Sequence, residues 1–548
     1  MGVFGKKHAV SGDNAPENSK ETQNLSTSDD AIQSIHSADP EKQSEPYTNE
    51  SHTALPQMPS PRISIDPMLE ARVVRKLDWR VPTLLGFLYL LALLDRSNIG
   101  NARIAGMEED LNISGSRYSW LLTIFYISYT LFEPLALMWK IMPPHRWAAI
   151  TAMTWGIVAT CQAAVQNWAG LMALRFLLGA AEAAFGPGSP YLLSFFYSRR
   201  ELGLRCGLFV SAAPLANTFA GALAYGITSG HSKLANWRLL FLVEGAPSCL
   251  AAVLAWCFLP DHPSSARFLT EEEKDVARAR SLRRSGESER VGGVNWKELG
   301  QTLLDVKPWI TALMYFSCNV SFSSLPVFLP TILEDMGFES IHAQGLTAPP
   351  FFVSFIISIA TTWFADRLQQ RGLMIVVLSI IGTVGYVLLA ACTSVGVRYF
   401  GVFLAAAGVF PCIANILPWV LSTFPLPTSQ PPSPAQTIAN KQLDNQGSDS
   451  RRGMGIVILN IIGQCGPFLG TNVFPDSDGP RYIRGQSICA AFMLFNAVLA
   501  LVLRFILVWE NKRLDKQYGP VDEAVVRADG KGNVVGEENY GATFRYVL

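Results

Sequence analysis

Apolar residues in this chain come in runs of about 20, the length a helix needs to cross a hydrocarbon core of about 30 Å. Polar and charged residues collect between them. About twelve such runs are legible, at 81–100, 118–139, 147–166, 169–195, 207–228, 238–259, 309–330, 348–365, 373–392, 399–421, 453–474 and 486–509. The pattern predicts an all-α membrane protein with twelve transmembrane helices. Only a short polar break, Gln166-Asn167-Trp168, parts the third span from the fourth.

A hydrophilic segment at 260–307 divides the spans six and six, and within it Thr270 and Glu273 have capping-box spacing for a short helix. Each half also carries a basic turn after its second span, Lys140-Ile-Met-Pro-Pro-His-Arg146 and Ala365-Asp366-Arg367-Leu-Gln-Gln-Arg371. Two related six-helix bundles are therefore expected, at 76–259 and 308–510, with a substrate site near the midplane between them. Residues 1–75 and 511–548 are read as tails, the first disordered because it is rich in Ser, Asn, Glu and Pro. A Pro/Ser-rich insertion at 422–452 reads as a cytoplasmic loop or as a short intron retained in the gene.

Composition narrows the class. Of 548 residues, 49% are hydrophobic and 16% charged, against about 25% charged in soluble domains. Lys and Arg cluster at alternate span ends: Arg72, Arg75, Lys76 and Arg80, then Lys140 and Arg146, then Arg199, Arg200 and Arg205. Further on come Arg367, Arg371, Arg451 and Arg452, and Lys512, Arg513 and Lys516. This bias predicts both termini in the cytoplasm. No basic stripe with interleaved aromatics points to nucleic acid. The nine cysteines lie in or beside spans and read as small buried hydrophobes, with no disulfide framework. None of the seven histidines is deep in a span, which argues against a metal-dependent membrane enzyme.

The candidate chemistry is the charge left inside the spans. Arg175 and Glu182 stand seven residues apart in the fourth span, close to two turns. They share a face roughly 10 Å apart along the axis. Ionisable groups at that depth are costly and mark substrate or proton sites by default. Arg stays charged and offers a planar fork to a carboxylate, so Arg175 and Arg96 are candidate anion ligands. Burial favours the neutral form of a carboxyl, which suits Glu182, and second Glu133, to proton coupling. Asp95 and Glu244, with Asp366 and Arg367 of the second basic turn, are candidate gating or structural residues. Asn319 and Asn415 are candidate hydrogen-bonding partners of substrate, beside Asn460, Gln464 and Asn472. The alternative for Arg175 and Glu182 is an ion pair, or capping of broken backbone at Gly186-Pro187-Gly188, that only holds the bundle.

Specific stretches carry a family resemblance. Lys76-Leu-Asp78 through Asp95-Arg96-Ser-Asn98, Arg175 to Gly188, Phe196-Tyr197-Ser-Arg199-Arg200-Glu201 and Trp237-Arg238 with Glu244-Gly245 are four of them. Phe328-Leu-Pro330, Pro349-Pro350 and Pro480-Arg481-Tyr482 continue it, so that it covers about 76–510. In order and spacing these resemble the fungal allantoate/nicotinate permease-type transporters, the anion:cation symporter family of the major facilitator superfamily. One departure is Glu133-Pro-Leu-Ala-Leu137, where the family usually has Glu-x-Pro-Ser-Asn.

The resemblance implies import of a small organic anion such as allantoate, nicotinate, pantothenate or a similar carboxylate. Protons would be the co-substrate, the membrane the plasma membrane and the unit a monomer, with no cofactor and no enzymatic activity. The alternatives are a facilitator or exporter of another metabolite, and a non-transporting nutrient sensor on the same fold.

Overall fold

A computed structural model describes residues 65–113, 115–197, 199–229, 233–285, 303–422, 454–455, 457–518 and 546–548. The insertion expected at 422–452 and most of both tails lie outside these residues. The first helix, α1 (Pro67–Asp78), begins inside the stretch read as a disordered tail. Its start is locally encoded: the Asp66 carboxylate accepts from the Met68 N–H at 3.0 Å, and Pro67 opens the first turn.

The spans follow as α2 (Val81–Ala102), α3 (Gly115–Phe132), α4 (Pro144–Cys161), α5 (Trp168–Glu182) with its continuation α6 (Gly188–Leu193), α7 (Arg199–Thr228) and α8 (Asn236–Phe258). The segment expected to hold a short helix contains α9 (Glu271–Ser285). The second half comprises α10 (Val306–Asp335), α11 (Ser340–Leu368), α12 (Arg371–Ala391), α13 (Val395–Ser422), α14 (Val457–Gly470) and α15 (Ile483–Tyr518). Every expected span has its helical counterpart.

Among the described residues nine helices are long and apolar enough by themselves to cross a membrane. The other three expected spans, the third, fourth and eleventh, fall short for separate reasons. Helix α4 is diluted by the polar Pro144-His145-Arg146 at its start. The fourth span is broken, and α14 is short.

The break has a physical origin in Pro187, which lacks an N–H and crowds the carbonyl four residues back. Helix α5 stops at Glu182, and the Ala184 carbonyl left by the break accepts the buried Trp139 indole N–H at 2.7 Å. Pro134 acts likewise in the second span, where α3 ends at Phe132 and a tighter turn, Glu133–Leu137, follows.

Helices within the first half approach through glycine. A Cβ on Gly156 of α4 would lie 2.8 Å from the Cys249 nitrogen of α8, and one on Gly245 of α8 2.6 Å from the Thr160 nitrogen of α4. We expect Gly245→Val to force α4 and α8 apart and destabilise the fold by about 1–3 kcal/mol. A lower Tm of the purified protein measures this; an unchanged Tm contradicts the packing.

The two halves meet along α7 and α11. At one end Leu204 N–H donates to the Asp366 carboxylate at 2.5 Å, and Asp366 also binds Arg371 at 2.5 Å. At the other end Thr228 donates to Gln344 at 3.1 Å. Further contacts at that end join α3 to the loop after α14 (Thr123–Thr471, 3.2 Å) and α2 to α10, where a Cβ on Gly100 would meet the Val327 carbonyl at 3.0 Å.

Helices α1 and α9 pack together beside the Asp366 end. Lys76 pairs with Glu273 at 2.7 Å, Arg205 with Asp78 at 2.5 Å, and Arg280 with Glu201 at 2.6 Å and with Glu70. The capping box forms: Thr270 N–H donates to Glu273 at 3.0 Å and Glu273 N–H to the Thr270 hydroxyl at 3.4 Å. The Lys76 ammonium holds the Glu273 carboxyl below the usual carboxylate range, so the link stays charged near neutral pH.

Candidate functional site

The intramembrane charges predicted from the sequence converge where α2, α3, α5 and α8 face one another. On α2, Arg96 reaches across to Glu182 on α5, with Nη2 2.9 Å and Nε 3.2 Å from Oε2. Both guanidinium contacts fall on the same carboxylate oxygen; Glu182 Oε1 is buried without a hydrogen-bond partner. The Arg96 guanidinium also stands 4.9 Å over the Phe125 ring and 4.8 Å over Tyr129, both on α3, a cation–π cage for a charge taken out of water.

Arg175 occupies a different position from the one expected of it as Glu182's partner. Its Nη1 donates to the Arg96 carbonyl at 3.3 Å, while Nε and Nη2 are buried without hydrogen-bond partners. The seven-residue spacing does put Arg175 and Glu182 on one face, but the ion pair belongs to Arg96 and Glu182. This corrects the structural alternative framed on Arg175. It also moves Arg96, which stood near the outer end of its span by sequence, into the wall of the central cavity.

That wall bounds two neighbouring hollows. Arg96, Tyr126 and Phe322 line both. Arg175, Asn217 and Ser323 contribute to the polar lining of the first, and Tyr315, Asn319, Asn460 and Gln464 to that of the second. Residues of both halves therefore line each hollow, the arrangement expected of a site between two bundles.

The other predicted residues fall in three places. Asn319 lines the second hollow while its amide donates to the Gly463 carbonyl at 3.0 Å. Asn415 is not among the lining residues; its amide donates to Pro411 O at 2.9 Å and Thr361 Oγ1 at 3.4 Å, an interhelical and intrahelical tether. Asp95 accepts from Ser248 of α8 at 2.8 Å, behind Arg96. Glu133 and Glu244 are buried with both carboxylate oxygens lacking hydrogen-bond partners. Asp366 bridges the halves as described, whereas Arg367 lies over the Trp363 ring at 5.3 Å.

Sequence reasoning missed the tyrosines. Tyr89, Tyr126, Tyr129 and Tyr315 all line the second hollow. A signal was present: Tyr89 precedes Arg96, and Tyr126 precedes Glu133, by the same seven residues that relate Arg175 to Glu182. The first and last of these pairs share a helix face, whereas Glu133 falls in the tighter turn that follows α3.

A bundle of spanning helices with a central polar hollow lined from both halves defines a membrane carrier rather than an enzyme. Comparison with known proteins agrees. The Major Facilitator Superfamily profile matches residues 85–430, and the chain belongs to that superfamily. It is 32% identical over 507 residues to the major facilitator-type transporter hxnP of Emericella nidulans, covering 90% of this chain and 96% of that one. It is 30% identical over 497 residues to the high-affinity nicotinic acid transporter of Saccharomyces cerevisiae, covering 89% and 87%. Among solved structures, the proton:xylose symporter XylE bound to 6-bromo-6-deoxy-D-glucose shares the fold, with a TM-score of 0.60 at 12% identity over 85% of this chain and 98% of that one. The protein is thus a multi-pass membrane transporter of the major facilitator fold.

Proposed function

We propose that this transporter imports a small organic anion, a carboxylate such as allantoate, nicotinate or pantothenate, together with protons. In this reading it is an allantoate/nicotinate permease-type carrier of the plasma membrane, working as a monomer with both termini cytoplasmic. Its bundles at 76–259 and 308–510 rock about the central hollow. The observation that carries the reading is the Arg96–Glu182 pair, 2.9 Å apart, in which Arg96 lines both hollows and Glu182 is buried behind it, beside an Arg175 that has unused donors.

The chemistry follows from exchange of partners. A buried guanidinium needs a counter-charge, because one left alone in a dry interior is costly. With Glu182 ionised, Arg96 is satisfied by it. When Glu182 takes a proton, Arg96 loses that counter-charge, and an entering carboxylate restores it through the planar fork. Arg175 lines the first hollow, and its Nε and Nη2, buried without hydrogen-bond partners, are a second set of donors beside it. Loading one anion with one proton leaves the net charge of the site unchanged, so neither binds well without the other. Similarity to a nicotinic acid transporter supports a carboxylate cargo.

The test is uptake of a panel of labelled carboxylates in a permease-deficient yeast, with and without an imposed pH gradient. Accumulation of at least one acid, driven by outside acidity, is the expected result. Gradient-independent equilibration points to a facilitator. No uptake of any acid with intact nutrient signalling points to a sensor and sinks the import reading.

A further inference from the structure

Residues Tyr546–Leu548 lie against the ends of four helices of the second half, at the same end as Asp366. Asn511 of α15 reads the backbone of Tyr546 on both sides: its Oδ1 accepts from the Tyr546 N–H at 2.8 Å, and its Nδ2 donates to the Tyr546 carbonyl at 3.0 Å. Trp419 of α13 donates its indole N–H to the Val547 carbonyl at 2.9 Å. Gly372 N–H, in the first turn of α12, donates to the Leu548 backbone oxygen at 3.3 Å. Lys307 of α10 donates to the Tyr546 hydroxyl at 3.4 Å and stands 5.0 Å from the centre of its ring. The Tyr546 and Leu548 side chains pack on the hydrophobic core.

The contacts are complementary in a way that defines a binding site. The Gly372 N–H belongs to a helix start, where backbone donors lack partners within the helix. Two backbone bonds to one asparagine recognise any extended residue, while the ring under Lys307 selects an aromatic one. A peptide bound here ties α10, α12, α13 and α15 together at one end.

That end also holds the junction between the halves. Gly372 follows Arg371, and Arg371 holds Asp366, which in turn accepts from Leu204 of the first half. Gly207 of α7 fits against Thr362 of α11, where a Cβ would come within 2.5 Å of the Thr362 methyl. Rocking that opens this end must part α7 from α11 and break the Leu204–Asp366 bond, whose Asp366 is held by Arg371, the residue next to the peptide-bound Gly372.

We propose that Tyr546–Leu548 is an intramolecular peptide ligand that holds the Asp366–Leu204 junction closed, so that its release favours opening at that end. The gating half of this statement rests on the rocking-bundle reading of transport. The site itself rests on the contacts above.

Cys206 reports on the junction without any knowledge of substrate. It is fully buried, lies between Gly203 and Gly207 on α7, and is within electrostatic reach of Asp366 and Arg371. The purified full-length transporter would be treated with a membrane-permeant maleimide, and modification at Cys206 followed by peptide mass spectrometry. Ending the chain at residue 545, or replacing Asn511→Ala, should speed Cys206 labelling roughly tenfold, the scale of losing one or two hydrogen bonds and a ring contact. A synthetic peptide of residues 542–548, added in excess to the shortened protein, should restore the slow rate. The shortened protein retains every spanning helix, so it serves if Asn511→Ala fails to fold. Labelling unchanged by the truncation, or faster labelling that the peptide does not reverse, overturns the proposal. Because no cargo is involved, failure here is distinct from failure of the carboxylate-uptake test.

Discussion

Glu182→Gln should abolish accumulation against a gradient while leaving exchange of substrate across the membrane intact. The substitution keeps the shape and the hydrogen-bonding oxygen but leaves nothing to protonate. Arg96 then has no resident counter-charge and is satisfied only by cargo. For one proton per monoanion, each unit of imposed pH difference is worth about 1.4 kcal/mol, or about tenfold accumulation. The variant should show no such dependence, and its counterflow should persist, with equal or tighter apparent affinity. The measurement is paired: uptake of whichever acid the panel identifies at two external pH values, and counterflow in preloaded vesicles. Gradient-driven accumulation that survives Glu182→Gln moves proton coupling to another buried carboxyl. Glu133 is the next candidate, since both its oxygens are buried without hydrogen-bond partners.

Arg96→Lys should weaken anion affinity by about 10–100-fold, the scale of losing one charge-assisted hydrogen bond of about 1.5–3 kcal/mol. Lysine keeps the positive charge that Glu182 requires but has no planar fork to offer a carboxylate. Alanine is a poorer test, because removing one member of a buried pair costs about 3–5 kcal/mol and confounds binding with folding. Arg175→Lys separates the two arginines. If the anion bridges both, the two lysine variants weaken binding alike. If Arg175 only positions α2 through the Arg96 carbonyl, its lysine variant alters expression or Tm with little change in KM. Unchanged affinity in both variants would place the anion elsewhere in the hollow.

The features that run along the chain are legible in the amino-acid sequence. Span positions follow from the length of apolar runs, and the start of α9 from the Thr270–Glu273 spacing. The kinks at Pro134 and Pro187 follow from a missing N–H. Each depends on residues within a turn or two. The presence of charge at membrane depth is equally plain, because Asp95, Arg96, Glu133, Arg175, Glu182 and Glu244 each stand out in an apolar run.

What the sequence leaves open is which of those charges meet. Arg96 and Glu182 are 86 residues apart in sequence, and their contact depends on how α2 is rotated against α5. The seven-residue spacing of Arg175 and Glu182 correctly places them on one face, yet a shared face on one helix is not a shared bond. The same limit explains Asn415, whose amide is taken by Pro411 and Thr361, and the tyrosines, whose hydroxyls look like ordinary core until a hollow opens beside them. It applies most strongly to Tyr546–Leu548, a tripeptide with no local signature, whose partners lie on four separate helices.

The sequence by itself determined the class of molecule, the number of crossings and the inventory of buried charge, because hydropathy and helix geometry act locally. Tertiary structure alone decided the pairing of Arg96 with Glu182, the unmatched donors of Arg175 and the faces that enclose the hollow. Those depend on the relative rotation and depth of helices far apart in the chain, which close packing sets and local sequence does not.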